Sequence, residues 1–159
     1  MATILETADH QPVNIDSDVE TLQEILTRYV DSRDGYLQAS TLVPDEGLSR
    51  TFTNIATRRE SLIGRVAELV QAEGQRPDVE GSPEASIHRW WIRLRDKVAA
   101  RETSAIVAEC LRGEKELART LRSALEVGSL SPAHHALITD TLSEVDLAVS
   151  SFEVLASET

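Results

Sequence analysis

A chain of 159 residues with 41% hydrophobic content has enough material for one packed core and about one domain. Its formal net charge of −11, from 27 acidic against 16 basic side chains, excludes a general nucleic-acid binder, because neutralising phosphate needs clustered Lys and Arg. A lone cysteine, Cys110, excludes an internal disulfide, and no stretch approaches the roughly 20 apolar residues of a membrane span.

Few glycines and prolines, with abundant Ala, Leu, Glu and Arg, favour helix over strand. Residues 1–14 show no sustained period and read as a flexible N-terminal arm. The arm starts without basic residues or an apolar run of signal length, so a cytoplasmic protein is expected. Residues 15–159 read as a single helical bundle domain.

The first helix is expected over about residues 16–40, capped by Asp16 or Ser17. Val19, Leu22, Leu26, Tyr29 and Tyr36 give 3-4 spacing on one face, and Ile25 and Leu37 widen it. Arg33 interrupts the stripe, and Gly35 inside the helix implies a close approach by a neighbour. A second helix is expected over about residues 45–73, with Pro44 at its first position and Gly74 as its stop. Its stripe is Leu48, Phe52, Ile55, Leu62, Val66 and Leu69, with Arg59 on the seam. After an extended link, a shorter helix over about 83–100 carries Ile87, Trp91, Leu94 and Val98 on one face. A third long helix over about 103–127 carries Val107, Cys110, Leu117 and Leu121, with Glu114 on the seam and Gly128 as its stop. The fourth, over about 132–157, opens at Ser131-Pro132 and carries Ile138, Leu142, Val145, Val149 and Phe152.

Two helical hairpins thus flank a connection of about 28 residues. Its roughly 17 helical and 10 extended residues reach about 25 and 33 Å, enough to return along a bundle about 42 Å long. The expected fold is all-α: a ferritin-like four-helix bundle of two antiparallel hairpins joined by a long crossover containing a short helix.

The residues of this crossover also carry a resemblance. Gly81-Ser82, His88-Arg89, Trp91 and Leu94, followed by Glu109-Cys110 and Arg112-Gly113-Glu114, resemble an uncharacterised bacterial family of ferritin-like four-helix bundles classed as a domain of unknown function. Asp31, Gly35-Tyr36 and Arg59 are similar to its pattern in the first two helices, and the likeness covers roughly residues 16–157. It implies the fold and brings no activity with it.

A di-iron bundle site needs a Glu from two helices and Glu-x-x-His from the other two. No Glu-x-x-His occurs: Ile63, Gln71, Arg112 and Leu147 stand three residues after Glu60, Glu68, Glu109 and Glu144. His10, His88, His134 and His135 fall in the arm, the crossover and the first turn of the last helix. No catalytic residue and no cofactor is assigned. Glu114 is the weak metal candidate, since of Asp34, Glu60, Glu114 and Glu144 it alone falls squarely on a seam. Counted from their helix starts, Arg59 and Glu114 are offset by about three residues, or ~4.5 Å of rise. A core ion pair between them is expected, with Tyr29 near that layer and Arg33 a turn or two towards the end.

Trp90 with Arg89 and Arg93 forms the candidate interaction surface, against the alternative that this helix packs by Trp91 and solvates its cations. Cys110 is expected to be buried and inert. The function expected from this reading is a non-catalytic bundle acting by assembly or partner binding, with a homodimer or an unidentified protein as partner. The alternative is a metal-binding or oxidative-stress protein with a carboxylate-rich site.

Overall fold

The computed structural model describes residues 15–81, 96, 103–126 and 130–158. Four long helices are present: α1 (Ile15–Leu42), α2 (Glu46–Ala72), α3 (Thr103–Glu126) and α4 (Pro132–Ser157). No strand occurs among the described residues. The expected arm over 1–14 lies outside them, and so does the crossover helix over 83–100 apart from Asp96, which is helical and exposed.

Helix ends follow local chemistry. Asp45 is the N-cap of α2, and its carboxylate accepts the Leu48 amide at 2.8 Å. Pro44 therefore sits one residue before the cap, rather than at the first helical position; the side-chain acceptor sets the start. At the other end the Gln75 amide donates to the Val70 carbonyl and the Gly74 amide to that of Gln71. Gly74 takes φ 81°, which closes this Schellman turn without a Cβ clash. Ser131 caps α4, with Pro132 at its first turn.

α1 packs on α2, α3 on α4, and α1 on α3. The core forms two clusters. Tyr36, Ala39, Phe52, Ile106, Val107, Cys110 and Phe152 fill one end. Leu22, Leu26, Tyr29, Leu62, Val66, Leu117, Leu121, Ile138 and Val145 fill the rest. Each large apolar side chain withdrawn from water contributes roughly 1.5–3 kcal/mol. The start of α2 and the start of α3 share the first cluster, and their later turns share the second. These helices therefore run parallel, and α2 ends at the opposite end of the bundle from the start of α3.

The described start of the connection shows how the return begins. Gln23 on α1 donates to the Arg76 carbonyl at 2.9 Å and accepts the Asp78 amide at 3.1 Å. Eight residues further along α1, Gly81 lies against Val30 and Asp31. A Cβ on Gly81 would stand 2.9 Å from Asp31 Oδ1 and 3.0 Å from Val30 Cγ1, and its φ is 83°. Both space and backbone thus require glycine here.

The buried faces are rotated slightly from the apolar stripes. Ile55, Leu69, Leu142 and Val149 are half-buried, while Ala56, Ile63, Val70 and Leu137 are buried. Thr141 is fully buried because its hydroxyl donates to the Leu137 carbonyl at 2.8 Å, which satisfies it within its own helix. Leu37 is exposed and does not widen the core face.

Candidate functional site

The layer between the two clusters is charged. Arg59 on α2 falls in the buried series Phe52, Ala56, Arg59, Ile63, Val66, and Glu114 on α3 in the series Cys110, Glu114, Leu117, Leu121. Three- and four-residue spacing makes each point inward with its apolar neighbours. Arg59 Nη2 donates to Glu114 Oε2 at 2.6 Å, and both side chains are 2% exposed. Arg59 Nε donates to the Ser32 hydroxyl at 3.1 Å, which ties α1 to the same pair.

Burial works to lower the Arg59 pKa, but the charge and hydrogen bond of Glu114 outweigh it, and the net direction is upward. The guanidinium stays charged. Tyr36 flanks the pair on one side and stacks in an aromatic trio, with ring centroids 5.7 Å from Phe52 and 6.2 Å from Phe152. Burial first, and the Glu114 charge next, push the Tyr36 phenol well above its usual range. Tyr29 flanks the other side, and its phenol is raised chiefly by burial. The Tyr36 hydroxyl faces Glu114 and that of Tyr29 faces Thr141, yet neither reaches hydrogen-bond geometry. An unpaired buried hydroxyl costs about 1–3 kcal/mol, offset here by ring burial and the aromatic contacts.

Cys110 lies one turn before Glu114. Burial, then the charges of Glu114 and Glu109, push its thiol up to about 12. At neutral pH it carries its proton, which makes it a poor nucleophile.

This layer ties α1, α2 and α3 together through Ser32, Arg59 and Glu114. Glu114, the weak metal candidate, is engaged by a guanidinium. Among the described residues no three His, Cys, Asp or Glu side chains converge as metal ligands would. Glu60 is taken by Arg33, and Glu144 faces the cleft between α2 and α4.

Arg33 does not enter the core. It is 25% exposed, with Nη1 donating to Glu60 Oε2 at 2.6 Å and Nε to Asp34 Oδ1 at 3.0 Å. The reason is its partner: Glu60 follows the inward Arg59 by one residue and is turned outward, and Arg33 follows it to the surface. Trp90, Arg89 and Arg93, the candidate interaction surface, lie outside the described residues.

Three participants are not obvious in the sequence. Ser32 holds Arg59, and its signal is a small polar residue between Tyr29 and Tyr36 at helical spacing. Thr141 closes the layer beside Tyr29. His134 is buried at the start of α4, with Nε2 3.8 Å from Glu73 Oε1 on α2 and Nδ1 without a partner. Its neighbour His135 is exposed, so the two do not converge.

A family model described as Domain of unknown function (DUF2383) matches residues 17–127. No curated protein matches the chain. No solved structure matches it either.

Proposed function

The chain belongs to the DUF2383 family of unknown function, and from that premise we propose that it is a ferritin-like four-helix bundle that acts without catalysis, by assembling with a second copy of itself. The observation that carries this reading is the buried Arg59–Glu114 pair. It fills the layer where a bundle of this kind would gather metal ligands. A charged pair with both members out of water is a positioning device, not a substrate site.

What is left for function is the outside of the molecule. Leu147, Val154 and Leu155 on α4 are exposed apolar side chains. The exposed positions between Leu147 and Val154 are Ser150, Ser151 and Glu153, and the Glu153 charge is paired with Lys115. On a chain of net charge −11, such a strip is where another acidic surface can approach. In this reading the setting is a bacterial cytoplasm, which a single buried, unpaired thiol suits.

The test is ferrous iron with peroxide or oxygen, added to protein purified without metal, together with the mass of the species in solution. The expected result is an assembled species and no saturable iron oxidation above buffer. Saturable oxidation that disappears in Glu114→Ala would overturn the reading in favour of a carboxylate-rich metal site. A monomer at every concentration would remove self-assembly.

A further inference from the structure

The geometry points to the α2/α4 face as a self-complementary interface, through which two copies pair about a two-fold axis parallel to the bundle. This rests on the reading that the protein works by self-assembly and says where it does so.

α2 and α4 run antiparallel and leave an open cleft of about 350 Å³ between them, lined by Arg58, Leu62 and Arg65 on one wall and by Asp140, Thr141 and Glu144 on the other. The walls carry opposite charge for a simple reason of spacing. Arg58 and Arg65 are two turns apart on one side of α2, and Asp140 and Glu144 one turn apart on one side of α4. Leu147, three residues beyond Glu144, continues the acidic side and is 70% exposed.

Among the described residues none of these four charges takes part in an ion pair. The contrast is the α3/α4 side, where Arg122 meets Asp146 at 2.8 Å and Lys115 meets Glu153 at 3.4 Å. There the helices pack closely enough for opposite charges to close; across the cleft they do not.

Register makes the two strips match between copies. Phe52 packs on Phe152, and Leu62 faces Thr141 across the cleft. Arg58 is therefore level with Glu144, and Arg65 with Asp140, each within about a turn of helix. A two-fold axis along the bundle exchanges left and right edges of the face while keeping height. It lays the basic α2 strip of one copy on the acidic α4 strip of the other, twice over, and covers Leu147. A two-fold axis across the bundle would set arginine against arginine and acid against acid. For so acidic a chain, a face with its own strip of cations is the one that a second copy can meet favourably.

Sedimentation of the full chain tests this with two variants, Arg58→Glu with Arg65→Glu, and Asp140→Lys with Glu144→Lys. The wild type is expected to dimerise. Each variant alone is expected to lose at least about tenfold in self-affinity, because like charges then face each other at four places. The equimolar mixture of the two is expected to recover a one-to-one dimer, which also shows that both are folded. A wild-type dimer that neither variant weakens overturns this face but leaves self-assembly standing. A mixture that stays monomeric overturns it too. A wild type that is monomeric throughout overturns both.

Discussion

Arg59 and Glu60 are neighbours in sequence, and each forms a 2.6 Å ion pair that ties α2 to another helix. One pair, Arg59–Glu114, has both side chains 2% exposed; the other, Arg33–Glu60, has them 25% and 60% exposed. Equal distance does not mean equal consequence. In the core the ions have given up water, so each depends on the other for compensation. At the surface water replaces either partner at little cost. A rotation of about 100° between adjacent helical residues separates the two cases.

The largest test of that contrast removes one core partner. Glu114→Ala leaves the Arg59 guanidinium buried without its counter-charge, and a loss of about 3–5 kcal/mol is expected in chemical denaturation. That is a large share of the roughly 5–15 kcal/mol typical of a whole domain. A loss under about 1 kcal/mol would place the pair with the surface ones.

High pH probes the same layer from its titrating neighbours. Cys110 and Tyr36 have pKa values raised above their ordinary 9.0 and 10.0. Between the ordinary and the raised value the unfolded chain has lost a proton that the fold keeps, so stability falls as pH rises. Their contribution is complete below about pH 9 and declines above it, by up to about 1.4 kcal/mol per pH unit for each group. Cys110→Ala and Tyr36→Phe should each flatten that decline. A stability profile flat to pH 11 would contradict the burial of these groups.

The smallest effect is expected at the surface. Arg33→Ala should cost no more than about 1 kcal/mol, and the cost should shrink in high salt, where exposed charges are screened. A larger, salt-independent loss would mean that Arg33 does more than brace two helices.

The four helices and the seam positions of Arg59 and Glu114 are legible in the sequence, because 3-4 spacing places a charge that interrupts an apolar stripe on the same helix face as its apolar neighbours. Arg33 interrupts a stripe in the same way and yet lies at the surface. Periodicity alone does not tell a charge that reaches into the core from one whose long side chain bends out to an exposed partner. The partner Ser32, the Gly81 approach to Asp31 and the His134–Glu73 contact are tertiary facts, and spacing along one helix carries no record of them. The same holds for the cleft: the charges of Arg58, Arg65, Asp140 and Glu144 look like ordinary solvated faces until α2 and α4 are set side by side.

The most direct measurement on the central pair is the denaturation stability of the chain with Arg59→Met and Glu114→Leu together. If the pair holds register without adding net stability, the double variant should fall within about 1 kcal/mol of the wild type or above it, well clear of Glu114→Ala. A double variant as unstable as Glu114→Ala would contradict the account.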